Sequence, residues 1–306
     1  MEKLQFEIVD VFTSSRFSGN GLAVIKNGET LSDQQMQAIA REFNLSETVF
    51  ILSPDNKAHS AKVRIFTPAE ELPFAGHPTV GAAVVVALSQ LGQGDDDIPS
   101  HEDAIVILEE GIGIIRAGVR FRTGKAPFAE FDLPRQPVEM DNLPTNDELS
   151  MVLGLSSTEI GFENHQPSCF EAGMPFVFVP VRDLEVIGNA IANAAAMEKL
   201  LGNKRREIFL YCRETVKNDS SFHARMFAPL LGINEDPATG AAVAAFAGVV
   251  MKYDQPARGT KNYIIEQGIE MGRPSEIYLE LIIKDGLKNV RIGGPVVKVA
   301  SGTLQV

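Results

Sequence analysis

The sequence predicts an α+β fold with a majority of strands, organised as two halves that each wrap strands around a central buried helix. The first observation behind this prediction is a repeat: RIFTPAEELPFAGHPTVGAA begins at Arg64, and RMFAPLLGINEDPATGAA begins at Arg225. The second is that both copies continue into apolar segments, TVGAAVVVAL and ATGAAVAAFAGVVM, which lack a polar stripe. A helix of that composition must be buried on every side. A chain of 306 residues also fits two domains of about 150 residues each.

The other elements follow from side-chain periodicity. Runs rich in β-branched and aromatic residues predict strands at FEIVDVFT, GLAVI, ETVFIL, AKVRIFT, AIVILEE, GIIRAGVRF, PFVFVPV, REIFLYC, EIYLELIIK, NVRIGGPVVKVA and GTLQV. The segment LSDQQMQAIAREFNL predicts a helix, because Ser32 and Gln35 fit a capping box and its apolar residues recur at helical spacing, at Met36, Ile39, Ala40 and Phe43. The segment DLEVIGNAIANAAAMEKLLG predicts another helix.

A domain boundary is predicted within LPRQPVEMDNLP, from Leu133 to Pro144, where prolines and acidic residues cluster. The N-terminal half is therefore placed at residues 1–132, and the C-terminal half at residues 133–289. For the C-terminal strand, at about residues 290–306, assignment to the N-terminal half stays open.

Composition and charge narrow the class of protein. The net charge of −12 and the lack of a Lys/Arg-rich stripe argue against binding to nucleic acid, although a local site for a small anion stays open. Two cysteines without a CxxC spacing argue against a disulfide framework or a zinc cluster. The N-terminus lacks the pattern of a signal peptide, and no apolar run is long enough for a membrane span. The expected location is the reducing cytoplasm, with no membrane partner.

Each repeat places an ionisable residue and a proline before its apolar segment: His77 and Pro78 in the first, Asp236 and Pro237 in the second. Proline favours the first position of a helix and a capping residue precedes it, so both pairs predict helix starts. A helix N-terminus carries a partial positive charge and unpaired N–H groups, and it therefore binds anions. Two equivalent N-termini suggest a pseudo-twofold cleft in which a ligand meets donors from both halves.

Taken one at a time, most of these residues have a structural explanation. Asp236 alone is more often a plain helix cap, whereas histidine caps poorly, which favours a functional role for His77. Glu47 alone would be a surface residue at a strand start. Cys169 and Cys212 are expected to pack in the core. The other histidines lack metal-ligand spacing and no phosphate-binding or dinucleotide-binding motif is present, so neither a metal nor a cofactor is expected.

Taken together, the motifs resemble a known family. The blocks FSGNGLAVI, NLSETVF, RIFTPAEELPFAGHPTVGAA, ARMFAPLLGINEDPATGAA, IEQGIEMGRPSEI and VRIGGPVVKVASGTL are similar to the signature blocks of the PhzF-like phenazine-biosynthesis family. They occur in order from about residue 8 to residue 304. The resemblance implies the diaminopimelate-epimerase-like fold, with two similar halves, each a curved, mostly antiparallel sheet around a central helix, and a site between them. It also implies a homodimer.

The resemblance further implies a cofactor-independent isomerase that shuttles a proton on a small carboxylate-bearing substrate. The family's base is the glutamate of the SET block, which is Glu47 here. Related epimerases carry a cysteine at each helix N-terminus, whereas this chain has His77 and Asp236, which would orient the substrate in an anion-binding frame. The substrate-binding residues implied by the resemblance, several of them through backbone N–H groups, are Asn20, Gly76, Thr79, Thr239, Gly240 and Ala241.

Two positions depart from the family pattern. Gly21 stands where the family has proline, which predicts a more mobile loop, and Ala241 replaces a serine that can contact substrate. An alternative hypothesis is a non-catalytic small-anion-binding or interaction protein that keeps the fold. The joint presence of Glu47, His77 and Asp236 favours the enzyme, because a simple binder needs only the helix ends. A cysteine-dependent epimerase is less favoured, since neither cysteine lies at a predicted helix start.

Overall fold

The computed structural model describes residues 3–92, 100–141, 143–202, 207–229 and 232–306. The chain divides into two compact units: unit 1 is Met1–Pro134 together with Gly293–Val306, and unit 2 is Arg135–Ile292. The boundaries placed from the sequence, after residue 132 and near residue 290, lie within a few residues of these divisions. The C-terminal segment is part of unit 1.

Unit 1 wraps its strands around one apolar helix. Its elements are β1 Lys3–Val11, β2 Asn20–Ile25, α1 Asp33–Phe43, β3 Glu47–Leu52, β4 Ala61–Phe66, β5 Glu71–Leu72, α2 Gly76–Gln90, β6 His101–Glu110, β7 Gly113–Arg122, β8 Phe128–Asp132 and the C-terminal part of β17 Leu287–Gln305. Pairing runs β1–β2–β3–β4–β6–β7–β8–β17 and returns to β1, so the strands form a closed ring. The pairs β2–β3 and β4–β6 are parallel, and the other pairs with a recorded register are antiparallel.

Helix α2 occupies the interior of this ring. It contacts strands β1, β2, β3, β4, β6, β7 and β8, and every residue from Gly76 to Ala87 is buried. This confirms the prediction of a helix buried on all sides in the first repeat. Gly81 permits the close approach to β2, because a Cβ at that position would lie 2.5 Å from Leu22 Cδ2. Helix α1 packs on the outer side of the strands, against Phe50 and Phe66.

Unit 2 has the same kind of central helix. Its elements are β9 Val138–Glu139, α3 Asn146–Leu153, β10 Ser168–Glu171, β11 Pro175–Pro180, α4 Leu184–Asn189, α5 Ala194–Leu201, β12 Glu207–Cys212, β13 Phe222–Ala228, β14 Ile233–Asp236, α6 Gly240–Tyr253, β15 Gly259–Gln267, β16 Ser275–Ile283 and the first part of β17. Pairing runs β9–β10–β11–β12–β13–β15–β16, with β11–β12 and β13–β15 parallel, and β14 pairs with the end of β13.

Helix α6 packs against one face of this sheet, and α3, α4 and α5 pack against the other. The ring of Phe246 on α6 is surrounded by aromatic rings from three neighbouring strands, namely Phe178, Phe209, Tyr211 and Phe222. Residues Ala242 to Val250 are all buried, which confirms the second buried helix. On the opposite face, Ile208, Leu210 and Cys212 of β12 contribute to a core cluster with the outer helices.

Two local helix predictions have opposite outcomes. The capping box of Ser32 and Gln35 is present at the start of α1, so that prediction is confirmed. The single helix predicted at DLEVIGNAIANAAAMEKLLG is wrong, because the segment forms α4 and α5 with a break between them. Arg225 Nη1 donates to the carbonyl oxygens of Ile187 and Ala190, both at 2.9 Å, and so binds the end of α4. Asn193 then caps α5 by accepting from the Ala196 N–H.

The C-terminal strands also differ from the prediction. NVRIGGPVVKVA and GTLQV form one continuous strand, β17, rather than two. Strands β13 and β15 were not among the predicted strands, although β13 carries the start of the second repeat. Among the described residues, no helix combines the length and the apolarity needed to cross a membrane.

The packing of α6 generates a prediction about Gly248. A Cβ at this position would lie 2.3 Å from Cδ1 of the buried Phe170 ring, so we expect Gly248→Ala to lower the free energy of unfolding by about 1–3 kcal/mol. Gly188→Ala on α4 is the matched control, because nothing lies within 4 Å of the added Cβ. Urea denaturation of both variants checks the prediction. Equal stabilities of the two variants would show that the contact is readily relieved.

Candidate active site

In unit 1, the first residue of β3 lies beside the first turn of α2. Glu47 begins β3, and its Oε2 atom lies 3.3 Å from Nε2 of His77. Both side chains are largely withdrawn from solvent, with 13% of the Glu47 side chain and 5% of the His77 side chain exposed. Phe50 faces the outer helix α1, so the alternation of side chains turns Glu47 and Val49 towards α2. The structure therefore brings together two residues that the sequence could link only through a family resemblance.

The contact is not an ion pair between charged groups. Burial lowers the pKa of His77 to about 3, so its imidazole is neutral at pH 7. Among the described residues, His77 Nε2 has no hydrogen-bond partner, even though a carboxyl oxygen lies nearby. A buried ring nitrogen without a partner is costly, so it is a suitable group to bind a polar atom of a ligand.

Helix α2 does not start where the sequence predicted. It begins at Gly76, two residues before Pro78, and its N-cap residue is Ala75, whose backbone is extended. No side chain caps the helix, so the prediction that His77 is its cap is wrong. Proline is tolerated in the first turn because the first N–H groups of a helix lack intrahelical acceptors. The N–H groups of Gly76 and His77 are thus the donors that this helix end presents.

The N–H group and the hydroxyl group of Thr79 both make hydrogen bonds within unit 1. Its N–H donates to the Ala75 carbonyl at 3.2 Å, and its hydroxyl lies 2.8 Å from both the Ala75 carbonyl and Glu110 Oε1. The prediction that the Thr79 N–H holds a substrate oxygen therefore needs correction. Thr79 supports the first turn of α2 from within.

Glu110, a residue that the sequence did not single out, lies against Thr79. The Thr79 hydroxyl donates to Glu110 Oε1 at 2.8 Å, and Oε2 of Glu110 has no hydrogen-bond partner among the described residues. Burial raises the pKa of Glu110 to about 8, although the hydrogen bond from Thr79 acts to lower it, so the carboxyl group is largely protonated at pH 7. A buried acid thus lies against the first turn of α2 without adding negative charge there.

Asn20 begins β2 and is buried, and it pairs with Val11 of β1. The preceding Gly19 has φ +64, and a Cβ there would lie 2.3 Å from the Val11 carbonyl oxygen, so only glycine fits this turn. Gly21 is part of β2 and pairs with Asp10. The position expected to make the loop more mobile therefore lies in a strand.

In unit 2, Asp236 ends β14, and α6 begins only at Gly240 with Thr239 as its N-cap residue. The prediction that Asp236 and Pro237 start the helix is therefore wrong. Asp236 accepts a hydrogen bond from the Thr239 hydroxyl at 2.5 Å, which links the strand end to the helix start. The N–H groups of Gly240 and Ala241 lie in the first turn of α6, where no intrahelical acceptor is available.

Gln267 of β15 fixes this loop, and it was not among the predicted site residues. Its Nε2 donates to the Asp236 carbonyl at 2.7 Å and to the Thr239 hydroxyl at 3.1 Å, while its Oε1 accepts from the Thr239 N–H at 3.2 Å. The Thr239 N–H, predicted to bind substrate, is therefore already used. The IEQG block that contains Gln267 was the available signal, but its amide shows its role only when β15 lies beside the loop.

The cysteines lie away from both helix starts. Cys169 in β10 and Cys212 in β12 are fully buried, which confirms that they pack in the core. Burial raises the pKa of Cys212 to about 12, so its reactive thiolate form is suppressed. The described residues contain no cluster of His, Cys, Asp and Glu arranged to hold a metal ion.

Glu110 generates a prediction about stability and pH. Its pKa of about 8 in the folded protein exceeds the reference value of 4.5, so the unfolded chain binds fewer protons between these values. The stability contributed by this proton is complete below about pH 4.5 and is lost as pH rises towards 8. Glutamine does not titrate, so we expect Glu110→Gln to abolish this pH-dependent loss. The free energy of unfolding of the variant minus that of wild type should then increase by up to about 1.4 kcal/mol for each pH unit between 4.5 and 8. Urea unfolding at pH 5, 6.5 and 8 tests this, and a difference independent of pH would contradict it.

Comparison with known proteins identifies the family. Residues 9–302 match the family model described as phenazine biosynthesis-like protein. The chain is 47% identical to an uncharacterized isomerase from Mesorhizobium japonicum, over 99% of each chain. It is 32% identical to a trans-2,3-dihydro-3-hydroxyanthranilate isomerase from Pseudomonas chlororaphis, over 98% of each chain.

Solved structures agree on the fold. The crystal structure of a PhzF-family phenazine biosynthesis protein from Bacillus anthracis matches with a TM-score of 0.88 and 24% identity, over 100% of each chain. This likeness confirms the predicted α+β class. Family model, curated relatives and fold point to the same group, and the chain belongs to the PhzF-like phenazine-biosynthesis family of isomerases.

Proposed function

We propose that the protein is a cofactor-independent isomerase that moves a proton between carbons of a small carboxylate-bearing substrate, with Glu47 as the acid and base. The observation that carries the proposal is the contact between Glu47 and His77 at the N-terminus of α2. It places a proton acceptor beside a neutral polar side chain and unpaired helix donors, in surroundings that largely exclude water.

The chemistry needs a carboxylate that takes a proton from carbon and then returns it. The Glu47 carboxylate accepts a proton from a carbon next to a double bond, and the electron pair of the broken C–H bond moves into the conjugated system. The substrate carboxylate receives part of the negative charge, which the N–H groups of Gly76 and His77 stabilise. Glu47 then donates the proton to another carbon, so the reaction consumes no other reagent.

The two helix ends offer different partners to a ligand. The donors of the second helix end are the N–H groups of Gly240 and Ala241, and the nearby Asp236 is an acceptor. A carboxylate of the substrate would be repelled by an ionised Asp236, so that residue suits a substrate hydroxyl or amine. His77 lacks this charge and suits the carboxylate. We therefore propose an asymmetric preference, in which the His77 end suits an anionic group of the substrate and the Asp236 end suits a hydrogen-bond donor.

The names of relatives supply a candidate with these groups. Trans-2,3-dihydro-3-hydroxyanthranilate, named in the Pseudomonas chlororaphis relative, bears a carboxylate, an amine, a hydroxyl and conjugated double bonds. Ala241 lies in the first turn of α6 and is partly exposed, so the serine hydroxyl that the family carries there is missing from a position open to a ligand. We therefore propose this chemical class, rather than the one compound, as the substrate.

Glu47→Gln tests the proposed base. Glutamine keeps the size of the side chain but cannot accept a proton, so we expect turnover to fall by at least about 100-fold while folding and ligand binding persist. The measurement is proton NMR of a panel of cyclic amino and hydroxy acids in D₂O, which detects deuterium entering a substrate carbon. Isotope exchange at the wild-type rate in Glu47→Gln would remove Glu47 from the mechanism.

His77→Ala and Asp236→Ala test the asymmetric binding. We expect His77→Ala to weaken all carboxylate ligands, and Asp236→Ala to weaken only those that also carry the hydroxyl or amine. Loss of a hydrogen bond that involves a charged group costs about 1.5–3 kcal/mol, or roughly 10- to 150-fold in affinity. Calorimetry with a ligand pair that differs only in the donor measures this. Equal losses for both ligands in both variants would contradict the asymmetric arrangement.

The second candidate is a small-anion-binding protein without catalytic activity. The replacement of the family serine by Ala241 favours it, because the site then lacks one side-chain hydroxyl. The D₂O panel separates the two functions: ligands that bind to the wild-type protein but never exchange a carbon-bound proton would favour the binding protein.

A further inference from the structure

A buried histidine of unit 2 lies between two glutamates. His223 is on β13 and pairs in parallel with Glu266 of β15. Its Nδ1 atom lies 2.8 Å from Oε1 of Glu266, and its Nε2 atom lies 2.8 Å from Oε1 of Glu270. The side chains of His223 and Glu266 are fully buried, and 22% of the Glu270 side chain is exposed. Each ring nitrogen therefore faces a carboxyl group.

The hydrogen bonds around this pair of carboxyl groups define the charge of the ring. Glu266 also accepts from the backbone N–H groups of Val216 at 2.6 Å and Lys217 at 3.0 Å. Three donors converge on its carboxyl group, which favours the ionised form. Burial acts to lower the pKa of His223, but its hydrogen bonds to Glu266 and Glu270 outweigh burial and raise the pKa to about 9. At pH 7 the ring is therefore an imidazolium that donates from both nitrogens.

The other groups near the ring are consistent with this charge. The residue opposite it on β12 is Cys212, and burial raises the pKa of that thiol to about 12, so it is neutral. Burial acts to raise the pKa of Glu270, but the imidazolium and then the charge of Arg225, two residues further along β13, hold it below its usual value. The ammonium group of Lys217 forms an ion pair with Glu276 of β16. Both carboxyl groups beside the ring therefore stay ionised.

One of these glutamates precedes the residue that holds the Asp236 loop. Gln267 follows Glu266 on β15, and successive side chains of a strand point to opposite faces of the sheet. On its own face, the Gln267 amide binds the carbonyl of Asp236 and both the hydroxyl and the N–H of Thr239. A fixed Glu266 therefore fixes the point on the strand from which Gln267 reaches the loop.

The turn that follows β15 contacts the same loop. Gly268 has φ +75, and a Cβ there would lie 2.6 Å from the carbonyl oxygen of Pro237, so the turn packs closely on the loop. At the other end of the turn, the hydroxyl of Ser275 lies 2.8 Å from the same carbonyl oxygen. Glu270 is within this turn, so its hydrogen bond with His223 links the turn to β13.

We infer that His223 is a positioning residue: as an imidazolium between Glu266 and Glu270, it holds the end of β15 and the following turn against the loop that carries Asp236. It is fully buried and acts through these neighbours, not by contact with substrate. A hydrogen bond between charged groups is roughly twice as strong as a neutral one, so loss of the ring proton weakens the whole arrangement. The inference rests on the proposed role of Asp236 as the acceptor for a substrate hydroxyl or amine.

Nuclear magnetic resonance tests the coupling without any ligand. In protein with ¹⁵N-labelled histidine and ¹³C-labelled threonine methyl groups, the ring nitrogens report the protonation of His223, and the methyl group of Thr239 reports the loop. Thr239→Ser identifies that methyl resonance by removing it. We expect both signals to titrate with one midpoint near pH 9. Glu270→Gln removes a group that raises the pKa of His223, so both midpoints should move together to lower pH.

Glu280→Gln is the matched control for the loss of a carboxylate. Glu280 lies on β16 in an ion pair with Arg291, and its side chain is 26% exposed, close to the 22% of Glu270. Its variant should leave both midpoints where they are in wild type. The inference is overturned by a Thr239 methyl signal that does not follow the titration of His223, or by a Glu270→Gln variant in which only the His223 midpoint moves.

A binding cycle tests the route through Asp236, with 3-hydroxybenzoate and benzoate as probes that differ only in a hydroxyl donor. Calorimetry should show that His223→Gln weakens 3-hydroxybenzoate about tenfold, as expected for a displaced charged acceptor, and leaves benzoate nearly unchanged. In an Asp236→Ala background, His223→Gln should cause no further loss, because the acceptor that it positions is gone. Glu270→Gln, at a partly exposed position, should give the same pattern with a smaller loss. Equal losses with and without Asp236 would overturn the inference.

The two experiments distinguish failure of the inference from failure of the proposed function. Coupled midpoints, together with affinities that are the same for both probes and unaffected by Asp236→Ala, would overturn the proposed role of Asp236 and still support the control of its loop by His223. Binding that depends on Asp236, together with uncoupled midpoints, would overturn the inference alone.

Discussion

Burial of the two apolar helices is the constraint on which the rest of each unit depends. Helix α2 and helix α6 have almost no polar side chain to present to water, so strands must cover them. A helix buried along its length still has unpaired N–H groups in its first turn. Those groups must be satisfied by a loop, by water or by a ligand. Burial of the apolar helix therefore leaves a polar helix end in each unit, with N–H groups that need an acceptor.

What each unit does with this helix end depends on the loop that precedes it. In unit 1, the first turn carries His77, which burial keeps neutral, and the start of β3 brings Glu47 to it. In unit 2, Asp236 and Gln267 take up part of the loop's hydrogen bonding through Thr239. The repeated motif thus gives a buried helix in each unit. The residue before the proline differs, so a neutral imidazole lies at the start of α2 and a carboxyl group lies before the start of α6.

The sequence was informative where one local rule decides the structure. The capping box of Ser32 and the buried helices follow from composition and spacing within a single segment. Prediction from the sequence failed where a residue far along the chain changes the hydrogen bonding of a segment. Arg225 takes the carbonyl oxygens that would have continued α4, and nothing in the sequence of that segment signals it. Helix α2 likewise starts before Pro78, because a proline in the first turn gives up an N–H group that would have no intrahelical acceptor.

The site itself was predictable only in part. Proximity of Glu47 and His77 requires the start of strand β3 to meet the first turn of helix α2, which spacing along the chain cannot show. The buried carboxyl groups of Glu110 and Glu207 were not predicted. Glu110 ends a strand and Glu207 begins one, and an acidic residue at a strand end is ordinarily solvated. Glu110 accepts a hydrogen bond from Thr79, and both acids are buried in the folded protein. Neither can be distinguished from a surface glutamate in the amino-acid sequence alone.

Burial decides the charge of these two acids in a chain of net charge −12. An ionised carboxylate near a helix N-terminus is favourable in itself, but it offsets the positive charge of that helix end. Burial makes ionisation costly and holds the pKa of Glu110 and Glu207 near 8. Each carboxyl group is therefore largely uncharged at pH 7. Glu110, which accepts a hydrogen bond from Thr79 in the first turn of α2, then adds little negative charge to the positive end of that helix.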